Sequence, residues 1–129
     1  MSYIFTSESV SEGHPDKICD QISDAILDEC LREDRNSRVA CETLIKNNTV
    51  IVAGEITTNA NVKYEDIVRS VVKEIGYEKP ELGFTYDTFE FQNLISNQSL
   101  DINEGITHET EIGSGDQGLM FGYACKETN

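Results

Sequence analysis

"RVACETLIKNNTVIVAGEITT", residues 38–58, alternates apolar and polar residues on both sides of Asn47-Asn48, a pair whose tolerance of positive φ suits a tight turn. The pattern predicts a β-hairpin whose two-residue turn sets the register: Lys46 faces Thr49, Leu44 faces Ile51, Glu42 faces Ala53 and Ala40 faces Glu55. Because side chains alternate between faces, Val39, Cys41, Thr43, Ile45, Val50, Val52 and Ile56 share one face, and Ala40, Glu42, Leu44, Ile51, Ala53 and Glu55 share the other. The first face suits a core under helices. The second is not solvent-like either.

The flanking segments supply those helices. From Pro15 to about Arg32, Ile18, Cys19, Ile22, Ala25, Ile26, Cys30 and Leu31 recur at helical spacing. Pro15 suits the first turn, and Asp16 and Asp20 sit at the positive end of the helix dipole. "VKYEDIVRSVVKEIG", residues 62–76, carries Ile67, Val68, Val71, Val72 and Ile75 on one side and ends on Gly76, a natural C-cap. Strands are expected in "YIFTSESV", residues 3–10, and in the aromatic "FTYDTFEFQNLIS", residues 84–96. The order β-α-β-β-α-β defines an α+β fold, a two-layer sandwich of one sheet and its helices, over residues 1–96.

Periodicity fails over residues 97–118, "NQSLDINEGITHETEIGSGDQG", and a loop of that length in a compact domain is usually a functional lid or is disordered. The expected division is a loop at 97–112 and a glycine-rich motif with an apolar strand at 113–129. That last strand, "LMFGYAC", has little chain after it to cover it, so a larger parent protein is expected.

Composition narrows the chemistry. With 129 residues, 38% of them hydrophobic, the chain can bury a core of its own. Against 24 acidic residues stand 10 basic ones, a formal charge of -14, which argues against gripping nucleic acid or anionic lipid and favours cations as partners. The four cysteines, Cys19, Cys30, Cys41 and Cys125, form no C-x-x-C pair and sit in apolar patterns, so a reducing compartment without structural zinc is expected. No stretch approaches the roughly 18 apolar residues of a membrane span, and the first residues lack a signal-peptide pattern; a cytoplasmic protein is expected.

Several residues invite a chemical reading. In "SEGHPDKICDQ", residues 11–21, His14 precedes a helix N-terminus, where backbone N–H groups favour anions such as phosphate. Taken alone, a capping role for His14 and a dipole-stabilising role for Asp16 are the stronger readings; a phosphate donor and a Mg²⁺ ligand are the sharper ones. Asp20, Asp24 and Asp28 continue at i+4 spacing as a solvated face. Glu42 and Glu55 fall on one apolar hairpin face as diagonal neighbours about 7–8 Å apart, where two carboxylates repel unless a cation or ammonium group lies beside them. "GSGDQG", residues 113–118, brings backbone close to a ligand but lacks the Lys-Ser/Thr of a Walker A loop; its Asp116 suits a hydroxyl, an amine or a metal.

Together, "FTSESVSEGHPDKICDQISDAILD", "RVACET", "GEITT", "EIGY", "QSLDIN" and "GSGDQGLMFGYACKET" resemble, in order and spacing, the N-terminal third of the S-adenosylmethionine synthetases (methionine adenosyltransferases). The resemblance covers essentially the whole chain. It implies the formation of S-adenosylmethionine by attack of the methionine sulfur on C5′ of ATP, with the triphosphate displaced and cleaved to pyrophosphate and phosphate. A thioether has no proton to lose, so the task is to position it and to stabilise a departing polyphosphate.

By the same resemblance, His14 contacts the triphosphate near the leaving oxygen, Asp16 is a Mg²⁺ ligand, and Glu42 belongs to a K⁺ site, with two Mg²⁺ ions per active site. Glu55 and Gln98 hold methionine, Asp116 contacts substrate, and Glu8 stands near the metal site without a definite role. Residues 98–108, including Gln98, Ser99, Asp101, Asn103, Gly105 and His108, correspond to the loop that gates the site. Ser114 and Leu100 stand where the family commonly has alanine and proline.

The family's enzymes are longer, built of three similar intertwined β-α-β-β-α-β units, and pair their sheet faces as dimers or dimers of dimers. The later phosphate- and metal-binding motifs are missing here, so the 129 residues alone are expected to be inactive. The rival reading is a stand-alone, non-catalytic module that binds a cation or methionine, or pairs subunits.

Overall fold

The computed structural model describes residues 4, 6, 8–97, 107–108, 111–112 and 126, with backbone alone at 107–108 and 111–112. The chain divides into two compact units, Met1–Gln98 and Ser99–Asn129.

In the first unit, helix α1 (Pro15–Glu33) leads into strands β1 (Arg38–Lys46) and β2 (Thr49–Thr57), then helix α2 (Tyr64–Ile75), a 3-10 turn (Pro80–Leu82) and strand β3 (Glu90–Ser96). The sheet order is β1-β2-β3. The hairpin has the register its turn dictates, Lys46 opposite Thr49 through Ala40 opposite Glu55, and Asn47 takes the expected positive φ of 55°. β3 pairs with β2 in parallel, from Thr49 opposite Glu90 to Glu55 opposite Ser96. Parallel neighbours cannot be joined by a hairpin, and α2 lies in the connection between them.

Both helices contribute to one core. Ile18, Ile22, Ile26 and Cys30 of α1 and Val68 and Val72 of α2 pack with Val50, Val52 and Ile56 of β2, and with Phe84 and Phe89. Val39, Cys41 and Ile45 of β1 line the same core, as the alternation predicts. On the opposite face, Leu44 is 56% and Leu94 63% exposed. Among the described residues the sheet is therefore covered on one side, an α+β layered fold, with an open face that is partly apolar. Asp20, Asp24 and Asp28 are exposed, as a solvated helix face requires.

Two details differ from the sequence pattern. Of residues 3–10, expected as a strand, the described ones (4, 6 and 8–10) have no strand pairing; 3, 5 and 7 lie outside the described residues. The strand expected from residue 84 begins at Glu90 instead. Phe84 and Phe89 are core residues, 8% and 2% exposed. Between them the Thr85 hydroxyl donates to Asp87 at 2.7 Å, and the Thr88 and Phe89 N–H groups donate to the Thr85 carbonyl, closing a turn that competes with extended structure. Arg69 secures that turn from α2, donating to the carbonyls of Tyr86 at 2.6 Å and Phe89 at 3.4 Å and lying 4.4 Å over the Phe89 ring.

In the second unit, β4 (Thr107–His108) and β5 (Glu111–Ile112) form a short antiparallel pair, within the segment whose periodicity fails.

Candidate functional site

The start of α1 is built around His14. Its φ/ψ of -71°/138° are those of an N-cap, Pro15 occupies the first helical position, and the Asp16 N–H donates to the imidazole Nδ1 at 3.2 Å. The capping role is therefore real. It has a chemical consequence: with Nδ1 accepting, the proton of the neutral ring sits on Nε2, so the imidazole presents a donor away from the cap. The helix end itself offers less to an anion than its sequence suggests, since Pro15 has no N–H and that of Asp16 is engaged by His14. The His14 ring is the more available donor.

Asp16 is 88% exposed at its side chain, and its carboxylate lies 3.9 Å from His14 Nδ1. It also lines a cleft of about 530 Å³ with Val10, Lys17, Cys19, Asp20, Ser23, Cys41, Glu42 and Thr43. Asp16 and Glu42 thus meet in one cleft although they come from different elements. Glu42 is on the open sheet face, but among the described residues β1 is the edge strand, so a cleft along that edge is reached from both faces. Lys17, not singled out by the sequence pattern, pairs within the cleft at 3.0 Å with Asp20, which that pattern placed on a solvated face; the i,i+3 spacing could have been read from "DKICD".

Two thiols line the cleft as well. Burial pushes Cys19 up from the ordinary thiol value, against a hydrogen bond from the Ile45 backbone, and the Asp16 charge adds to the rise. Burial likewise pushes Cys41 up, with Glu42 adding to it. Both therefore stay neutral near pH 7 and leave the charge of the cleft to its carboxylates and Lys17.

Glu55 is half-buried on the open face, diagonal to Glu42 through the Ala40–Glu55 and Glu42–Ala53 pairs. Glu8 is exposed in the segment before α1. Neither lines the cleft that joins Asp16 to Glu42. Gln98, Ser99, Asp101, Asn103, Gly105 and Asp116 lie outside the described residues, and of His108 only the backbone is described. Among the described residues no three His, Cys, Asp or Glu side chains converge closely enough to hold an ion by themselves. An exposed single carboxylate such as Asp16 still fits Mg²⁺, which keeps waters and takes one or two carboxylates together with substrate phosphates. No helix among the described residues is long and apolar enough to cross a membrane.

Fold and site define a class: a two-layer α+β domain with a histidine-capped helix end next to an acidic cleft at its sheet edge. The family model for the S-adenosylmethionine synthetase N-terminal domain matches residues 2–100, and the chain belongs to that family. It is 56% identical over 128 residues to the S-adenosylmethionine synthase of Salinibacter ruber (strain DSM 13855 / M31), an alignment covering 99% of this chain and 33% of that protein. The chain thus spans about a third of the length of the curated relative it matches.

Proposed function

We propose that the chain is the N-terminal segment of an enzyme that makes S-adenosylmethionine from ATP and L-methionine, releasing pyrophosphate and phosphate. The observation that carries this reading, given the family, is the meeting of Asp16 and Glu42 in one cleft beside the His14-capped end of α1. Acidic residues at the site of a polyanionic substrate make chemical sense where cations mediate the contact.

His14 donates from Nε2 to the triphosphate near its leaving oxygen, in the tautomer that its cap enforces. Asp16 holds Mg²⁺, one of two in the site, and Glu42 holds K⁺; when bound, these ions neutralise charge on the polyphosphate. Glu55 and Gln98 hold methionine, a carboxylate being the complement of its ammonium group. Asp116 contacts substrate, and Glu8 stands close to the metals. The sulfur attacks without surrendering a proton, so none of these side chains acts as a general base.

Residues 1–96 form the β-α-β-β-α-β unit in this reading, 97–112 the loop over the site, with Gln98, Ser99, Asp101, Asn103, Gly105 and His108 in its gating part, and 113–129 the glycine-rich motif leading onward. The enzyme is cytoplasmic and a homo-oligomer whose subunits pair through the open sheet face; exposed Leu44 and Leu94 support that pairing. Nucleic acid and membrane are not partners.

The test incubates the full-length protein carrying this segment with ATP, methionine, Mg²⁺ and K⁺. S-adenosylmethionine, pyrophosphate and phosphate are expected in equal amounts, and none from the 129 residues alone. Absence of product from the full-length protein would sink the reading.

A further inference from the structure

His14 is exposed, and the described residues just before it belong to no helix or strand, so something other than burial must hold the ring in place. Three backbone anchors do so. The His14 N–H donates to Ser11 O at 3.0 Å, the Gln21 side-chain amide donates to Glu12 O at 3.2 Å, and the Tyr77 hydroxyl donates to Gly13 O at 2.7 Å. The first is local and the second comes from α1. The third crosses 64 residues of sequence, from just beyond α2.

Tyr77 is itself tightly held. Gly76 ends α2 in the left-handed region at φ 108°, which turns the chain so that the Tyr77 N–H reaches Val72 O at 3.2 Å. The Tyr77 carbonyl accepts the Tyr86 N–H at 2.9 Å. Its ring stands edge-on to Phe84, with centroids 5.3 Å apart and planes at 79°, and Phe84 stacks on the buried Phe89. A phenylalanine would satisfy every one of these contacts. The hydroxyl adds one thing, the hydrogen bond to the carbonyl directly before His14.

We infer that Tyr77 is a positioning residue for His14: its hydroxyl fixes the Gly13 carbonyl, and so the direction in which the His14 ring leaves the backbone. The inference rests on the proposed role of His14. A donor for a leaving group must be in place before the transition state, and a small misplacement is costly in rate rather than in substrate binding.

The experiment is a double-mutant cycle in the full-length protein with Tyr77→Phe and His14→Asn. Tyr77→Phe is expected to lower kcat roughly tenfold, the equivalent of one lost part-buried hydrogen bond, with KM for methionine within about twofold. In the His14→Asn background it should cost less than about twofold. The His14 imidazole resonance, assigned by its loss in His14→Asn, should move in Tyr77→Phe. An equal loss in both backgrounds, or no loss at all with the resonance unmoved, would overturn the inference. If the wild-type protein made no S-adenosylmethionine, the proposed function would fall, and the resonance comparison would still decide whether Tyr77 positions His14.

Discussion

The Asp16 N–H donates to the His14 imidazole at Nδ1, so one ring both caps α1 and is left with its proton on Nε2. The two duties can be separated by substitution. Asparagine also caps well but has no Nε2 donor. His14→Asn should leave thermal stability nearly unchanged, while His14→Ala should cost about 1 kcal/mol, measured by denaturant unfolding. Both should lower the rate of S-adenosylmethionine formation in the full-length protein by roughly a hundredfold, leaving a residual rate that can still be measured. An undiminished rate in His14→Asn would reduce the residue to a cap.

Asp16 and Glu42 share the cleft but are proposed for different ions, and the cations can be titrated one at a time. In the full-length protein, Asp16→Asn should raise the Mg²⁺ concentration for half-maximal rate by roughly tenfold or more and leave the K⁺ requirement alone; Glu42→Gln should do the reverse. Equal shifts in both titrations for either variant would assign the cleft to a single ion.

Gly54 has a φ of +133°, and a Cβ there would lie 2.1 Å from the Ala40 carbonyl oxygen and 3.1 Å from its carbon. Backbone is on the other side of that contact, so the clash cannot be relieved by a side-chain rotation. Gly54→Ala should destabilise the protein by more than about 2 kcal/mol. Gly76 has a φ of +108° but open space around it, and Gly76→Ala should cost only about 1 kcal/mol. Chemical denaturation of the two variants separates steric clash from backbone strain; equal costs would show that the clash relaxes.

Asp34 follows α1 and accepts backbone N–H groups from Asn59 and Asn36, together with the Asn59 amide, which ties the end of α1 to the segment after β2. These bonds, Asn59's foremost, hold its carboxyl below the ordinary value of 3.8. A group with a depressed folded pKa contributes stability that is fully present above its unfolded value and is lost as pH falls through the folded one. The melting temperature of wild type should therefore exceed that of Asp34→Ala from neutral pH down to about 4, and the gap should close in more acidic buffer. A gap that widened with acid would mean that the carboxylate is not what these N–H groups stabilise.

The hairpin was legible because its cause is local: an asparagine pair, of which Asn47 takes positive φ, flanked by alternation, leaves one register that puts Val39, Cys41, Ile45, Val50, Val52 and Ile56 on the core face. Both helices were legible for the same reason, α1 beginning at Pro15 and α2 closing at Gly76. The late start of β3 was not, because Phe84 and Phe89 have the composition of a strand, while the turn between them depends on hydroxyl and carbonyl contacts that composition does not express.

By itself, then, the sequence determined the two-layer fold class, the hairpin register, the family, and the short list of residues with chemistry to offer. Tertiary structure decided which of them meet. Among the described residues the parallel pairing of β2 with β3 leaves β1 at the sheet edge, and that edge position lets Glu42 reach the cleft of Asp16. It also decided that His14 is bonded through Nδ1 and that Tyr77, far along the chain, holds the carbonyl before it. Periodicity and turn chemistry act over a few residues, whereas a site is assembled by contacts between segments whose spacing in the chain carries no trace of their approach.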